Sequence, residues 1–255
     1  MTAHQPEAQE GAAPLLSVVV PVRNEAENIA PLVAEIRAAL AGVAPFEIIY
    51  VDDGSTDDTP ARLSQAMAQA PELRVLRHDR SCGQSAAVLT GVRAARGRLI
   101  GTLDGDGQND PADLPAMLAR WRQAPVAMIA GQRVRRQDTL AKRLASRAAF
   151  RLRALALGDA TPDTGCGIKL FERAAFLDLP YFDHIHRFLP ALMRREGHEV
   201  ALQPVNHRAR QRGRSNYGVL DRALVGLVDL IGVMWLLRRR RLPKVSPVER
   251  SAAGE

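Results

Sequence analysis

Residues 104–108 read Asp-Gly-Asp-Gly-Gln and follow the apolar run 99–103. Two carboxylates separated by one glycine, at the end of a buried-strand pattern, make a site for a hard cation. In an extended chain the side chains at i and i+2 leave the same face, so Asp104 and Asp106 can address one ion. Gln108 continues the alternation and adds a neutral oxygen, while Gly105 and Gly107 let the backbone approach closely. An all-oxygen set suits Mg²⁺ or Mn²⁺, ions commonly shared with substrate phosphates. The predicted ligand is a nucleoside diphosphate. Three further polar clusters also follow apolar runs: Arg23-Asn24-Glu25, Asp52-Asp53-Gly54-Ser55 and Gly131-Gln132-Arg133. Each alone is ordinary turn chemistry or a solvated surface; their shared position is what argues for a site.

The elements that must position these clusters are legible as alternating patterns. Strands are expected over 15–22, 46–51, 73–76, 99–103 and 126–130, with helices between them at 3–4 residue periodicity. Less regular strands follow over 168–171 and 200–205. This order implies an α/β fold with a mostly parallel, doubly wound sheet, whose ligands bind outside the carboxyl ends of the strands. The first strand is followed by no Gly-x-Gly-x-x-Gly, and no Gly-Lys-Ser/Thr loop occurs, which sets aside dinucleotide dehydrogenases and P-loop enzymes.

The 255 residues carry a net charge of +7, nearly all of the basic side being arginine. That balance points to an anionic partner: nucleic acid, membrane surface or phosphorylated substrate. Aromatic residues are 4% of the chain and no nucleic-acid motif is present, which sets aside nucleic acid. Cys82 and Cys166 match no metal or disulfide framework, and His184, His186 and His207 read as structural or surface residues. The polar N-terminus lacks the pattern of a secretory signal. The most apolar stretch, 223–237, carries Asp229 and falls below the ~20 residues that span a bilayer. A basic amphipathic helix is expected over 140–157 with Arg143, Arg147 and Arg151, and a basic loop over 207–218. The apolar helix 220–237 ends in Arg238–Arg241, the composition of an interfacial membrane helix. The chain therefore divides into a disordered tail at 1–14, a catalytic domain at 15–218, a membrane-interfacial helix with its basic cluster at 219–241, and a second tail at 242–255.

Together these motifs resemble the inverting family-two glycosyltransferases of GT-A fold, in particular the dolichyl-phosphate mannosyltransferases and their bacterial polyprenyl-phosphate relatives. The resemblance spans about 15–240 and rests on Val20–Glu25, Val51–Asp57, Asp104–Gln108, Gly131–Arg133, Asp163–Gly167 and Arg210–Tyr217 in the family's order. It implies that Pro21, Arg23 and Glu25 line a nucleotide pocket, with Asp52 and Asp53 at the nucleoside and Tyr50 beside it. Asp104 and Gly105 would flank the sugar-nucleotide, and Asp106 and Gln108, with Asp104, would hold Mg²⁺ or Mn²⁺ on the diphosphate. Arg133 would sit near the phosphates or donor sugar, and Arg210 would grip the donor diphosphate or lipid phosphate. Many relatives have lysine where this chain has Asn216, so Arg212 or Arg214 would take over that contact.

The implied reaction moves a monosaccharide, first mannose from GDP-mannose, onto a polyprenyl phosphate at the cytoplasmic face of a membrane, bound peripherally or through a small membrane subunit. Such an acceptor is largely ionised near neutral pH, its relevant pKa being about 6, so a strong general base is dispensable. UDP-linked galacturonic acid, glucose or aminoarabinose are alternative donors. Transfer to a saccharide hydroxyl would call for a base, for which Asp163 is the candidate. The non-enzymatic alternative is a scaffold subunit of a membrane complex.

Overall fold

A computed structural model describes residues 13–133, 153–154, 156–158, 161–209, 219–239 and 241 of the chain. Strands β1 (Leu16–Val22), β2 (Phe46–Asp52), β3 (Leu73–Arg77), β4 (Leu99–Thr102), β5 (Met128–Arg133), β6 (Lys169–Glu172) and β7 (Val200–Val205) form one seven-stranded sheet. Its order is β3-β2-β1-β4-β6-β5-β7. All neighbouring pairs run parallel except those of β6, which is antiparallel to both β4 and β5. The α/β, mostly parallel sheet expected from the residue pattern is thus present, with one reversed strand set between β4 and β5.

Helices α1 (Ile29–Leu40), α2 (Thr59–Gln69), α3 (Gln84–Ala94), α4 (Leu114–Gln123), α5 (Arg173–Leu177), α6 (Leu189–Arg195) and α7 (Val219–Arg238) complete the described elements. The central strands are buried on both faces, which is why they read as unbroken apolar runs. Val18, Val20, Ile48 and Tyr50 face α1, α2 and α4, whereas Val19, Ile49 and Val51 face α3, α5 and α6. Each fully buried aliphatic side chain of this kind contributes about 1.5–3 kcal/mol relative to exposure.

The expected strand boundaries shift: β4 stops at Thr102, β6 starts at Lys169, and the strand expected over 126–130 runs from Met128 to Arg133, taking in the Gly131-Gln132-Arg133 cluster. The short helix α5 had no periodic signal, since five residues hold barely one helical repeat. Most of the expected 140–157 helix lies outside the described residues, as do both tails beyond 13 and 241 and the loop 210–218 with Arg210, Arg212, Arg214 and Asn216.

Among the described residues no helix is long and apolar enough to cross a membrane. Helix α7 docks Val233 into the sheet's α3 side while Leu227, Val228, Ile231 and Trp235 stay 51–69% exposed. At 100° per residue these four fall on one stripe. Asp229 interrupts the apolar run for a local reason: its carboxylate turns inward to His184 Nδ1 at 2.9 Å.

Candidate active site

The carboxyl ends of β1, β2 and β4 and the amino end of the reversed β6 converge on a cleft of about 450 Å³. Pro21, Arg23 and Glu25 line it from the loop after β1, Asp53 from the end of β2, and Asp104, Gly105 and Asp106 from the loop after β4. Lys169 of β6, Gln84 of α3, and His186 and Arg187 of the short 3₁₀ turn Ile185–Arg187 complete it. These last four were not among the residues expected at a site. Lys169 carried a signal, a lysine inside the apolar run Ile168–Phe171 of a chain poor in lysine.

The acidic pair sits on a turn rather than an extended segment, because β4 ends two residues earlier. Asn109 Oδ1 accepts the Asp104 N–H at 2.8 Å, and the Gln108 N–H donates to Asp106 Oδ1 at 3.1 Å. The shared face inferred from strand alternation is therefore supplied by turn hydrogen bonds. Gln84 Nε2 donates to Asp104 Oδ1 at 2.8 Å. Burial, then the Asp106 charge, raises the Asp104 carboxyl above its ordinary range, against the opposing pull of Lys169, Gln84 and Arg133. Two oxygen-bearing side chains whose charges oppose each other in a half-buried cleft fit a hard divalent cation. Two glycines make this packing possible: a Cβ on Gly105 would stand 2.3 Å from Val22 Cγ1, and one on Gly167 2.1 Å from Asp104 Oδ2.

Gln108 does not line the cleft; its Nε2 reaches the Arg208 carbonyl at 3.5 Å. Arg208 in turn pairs with Glu35 at 2.6 Å and Asp110 at 2.7 Å. The segment leading into 210–218 is thereby fastened to the loop that carries Asp106.

On the β1–β2 side the polar groups mostly satisfy one another. Asn24, at φ 55°, donates its N–H to Ser55 Oγ at 2.9 Å and accepts the Thr56 N–H at 2.8 Å. Asp52 is fully buried; it accepts the Ser55 N–H at 2.9 Å and faces Arg77 Nε at 3.2 Å. Asp53 accepts Ser81 Oγ–H at 2.8 Å, Cys82 N–H at 2.8 Å and Gly83 N–H at 2.9 Å, with His78 Nδ1 at 2.7 Å. Burial pushes the Asp53 carboxyl up, but these bonds together outweigh it and hold the group below its ordinary value. Asp53, His78 and Cys82 lie within metal-binding reach of one another, yet that carboxylate is already filled and His78 Nε2 is engaged by Thr90 Oγ1 at 2.9 Å. Tyr50, expected beside the nucleoside, points into the core: strand alternation puts it with Ile48, fully buried, and its hydroxyl has no hydrogen-bond partner among the described residues.

The opposite side is built differently. Arg133 grips Asp163 through Nε and Nη2, both at 2.6 Å, instead of standing open among the cleft-lining residues. That bond raises the guanidinium pKa further, outweighing the lowering effect of burial. His186 donates to or accepts from Ser85 Oγ at 2.7 Å, and burial followed by the charges of Lys169 and Arg187 pushes its pKa down to about 3. Cys166 is a buried thiol whose pKa desolvation raises, packed in the core.

Residues 17–179 match the glycosyl transferase family 2 description. The chain is 34% identical over 233 residues to the dodecaprenyl-phosphate galacturonate synthase of Rhizobium johnstonii, covering 89% of this chain and 69% of that protein. It is 31% identical over 237 residues to the undecaprenyl-phosphate 4-deoxy-4-formamido-L-arabinose transferase of Yersinia enterocolitica, covering 91% and 71%. Among solved structures, a mannosyltransferase from Pyrobaculum calidifontis in complex with GDP-Man and Mn²⁺ superposes with a TM-score of 0.63 at 19% identity, over 91% of this chain and 67% of that one. Mannosyl-3-phosphoglycerate synthase from Rubrobacter xylanophilus gives 0.67 at 19% identity, over 91% and 77%. The chain has the GT-A fold that the sequence motifs implied.

Proposed function

The chain belongs to glycosyl transferase family 2, and from that premise we propose that it transfers one monosaccharide from a nucleoside-diphosphate carrier to a polyprenyl phosphate at a membrane surface. The geometry that carries this reading is the Arg133–Asp163 clamp. Asp163, the carboxylate that the sequence offers as a base, is held bidentately by a guanidinium. A hydroxyl acceptor would need that base; a phosphate acceptor, already ionised, does not. The two relatives above, named for dodecaprenyl and undecaprenyl phosphates, support the same acceptor.

In this reading an oxygen of the lipid phosphate attacks the anomeric carbon, the carbon–oxygen bond to the diphosphate breaks, and the nucleoside diphosphate leaves; no proton changes hands. Pro21, Arg23, Glu25 and Asp53 form the nucleotide side, and Asp104 orients the sugar. Asp104 and Asp106 would hold a divalent cation, with Gln108 bracing their loop, and the ion when bound would neutralise the leaving diphosphate. Arg210, Arg212 and Arg214 would approach the two phosphates from the segment fastened at Arg208. The donor sugar lies between the mannose first expected and the galacturonic acid or amino-pentose of the two relatives' names.

Residues 15–218 serve as the catalytic unit and 219–241 as the attachment to the cytoplasmic face of the membrane, alone or with a small subunit. The exposed stripe of α7, ending in Arg238, Arg239 and Arg241, supports this. Flotation with anionic liposomes should carry the protein upward, and raising the salt to about 0.5 M should weaken it; failure to float on anionic lipid breaks the attachment reading. The function itself is tested by labelled nucleotide-sugars with polyprenyl phosphate and Mg²⁺ or Mn²⁺. Label should enter the organic phase, a chelator should abolish the transfer, and no lipid-extractable product from any donor would overturn the proposal.

A further inference from the structure

Lys169 is a buried ammonium that the reaction outlined above does not use. It is 4% exposed, yet it lines the cleft. Strand β6 sets it across from Thr102 of β4 and Ala130 of β5, in the middle of the sheet. An ammonium carries three N–H donors; among the described residues, the hydrogen-bond partner of this one is the Cys166 carbonyl, a neutral oxygen. Burial lowers its pKa, and the Cys166 sulfur and the carboxylates of Asp104 and Asp163 draw it back up, yet among the described residues neither carboxylate closes an ion pair with it. A buried cation with no anion in direct contact is costly, and the cost is recovered when a ligand supplies that contact.

The sheet order says which part of the ligand that is. Asp104 and Asp106 stand at the end of β4, with β1 and β2 on one side and β6 on the other. A nucleotide-sugar whose nucleoside lies over β1 and β2 and whose diphosphate meets the acidic pair must place its sugar over β6. There Lys169 is joined by the half-buried Arg187 and by neutral His186. Resting on the transferase reading above, we propose that the donor is a sugar bearing a carboxylate, a uronic acid, and that Lys169 is the residue that reads the acid group.

The test compares UDP-galacturonic acid, UDP-galactose and UDP, which differ only in the sugar's C6 oxidation or its absence. Calorimetric titration is done in the presence of Mn²⁺ on the full chain, its Lys169→Met variant and its Lys169→Arg variant. The full chain should bind the acid donor at least about 10-fold more tightly than the neutral one. Lys169→Met should lose about 30-fold for the acid donor, the worth of one charge-assisted hydrogen bond. UDP should change by less than about 3-fold, and Lys169→Arg should restore part of the preference. Equal affinity for the two sugars, no measurable binding of the acid donor, or an equal loss for UDP alone would overturn the proposal, the last by assigning Lys169 to the diphosphate. If Lys169→Met does not fold, the comparison of the two sugars on the unaltered chain decides. An acid preference without transfer to polyprenyl phosphate would leave this inference standing and remove the acceptor reading instead.

Discussion

The two sides of the cleft are made of the same kinds of residues and handle charge in opposite ways. Toward β1 and β2, acids and amides are spent on backbone: Asn24 ties two loops together, Asp52 holds Ser55, and Asp53 gathers the 78–83 segment around one carboxylate. Toward β6, charge is buried against a neutral partner or held in an ion pair, as in Lys169 and in Arg133–Asp163. The first arrangement gives a fixed shape for a ligand part common to many donors. The second leaves electrostatic demand that a particular ligand group can meet, which is how a site gains selectivity.

The comparison breaks most easily at Asp53. Replacing it with alanine removes a buried acceptor from several donors at once, so Asp53→Ala should cost about 3 kcal/mol of stability, a fall in Tm on the order of 10 °C by calorimetry. A loss confined to activity, with Tm unchanged, would show the first side to be functional rather than structural.

Asp163 gives the next largest effect, and a kinetic one. Asp163→Asn keeps the shape but releases Arg133, so kcat for the phosphate acceptor should fall about 10-fold with an unchanged pH–rate profile. A fall beyond about 1,000-fold together with a lost acidic limb would mark Asp163 as a proton acceptor and revive a hydroxyl acceptor.

A third test separates the two sides by pH. Asp53 is held below its ordinary value of 3.8, so its stabilisation is complete above that pH and lost as pH falls below it. His186, lowered from 6.5 to about 3, is neutral in the fold and protonated first in the unfolded chain, so its contribution is lost as pH falls from 6.5 toward 3. Unfolding midpoints followed downward from pH 7 should therefore decline first through the β6 side. His186→Gln should flatten the decline between pH 6.5 and 4; an unaltered slope would place the early acid sensitivity elsewhere.

Much of the nucleotide side was legible because its signals are local. β-branched runs end in Asp52-Asp53 or precede Asp104-Gly105-Asp106, and in a parallel sheet every such ending falls on one edge. On the β6 side the motif Asp163–Gly167 was legible, but Lys169 was hidden because its strand is reversed, so that the first residue of β6, with Thr164–Gly167 before it, lines the cleft. Pattern reading also placed Asp104 and Asp106 together for a reason the structure replaces, turn hydrogen bonds from Asn109 and Gln108 standing in for strand alternation. Tyr50 shows the converse, since alternation along β2 does hold and turns that ring into the core.

By itself the sequence determined the layered α/β architecture, the edge at which chemistry could occur and the family to which the chain belongs. Each of these follows from period, order and residue type within short windows. Only the tertiary structure decided which charges are spent and which are available. Whether Arg133 is clamped by Asp163, whether Asp53 is filled, and whether Lys169 meets a carboxylate depend on contacts between strands distant in sequence, and no local spacing encodes those distances.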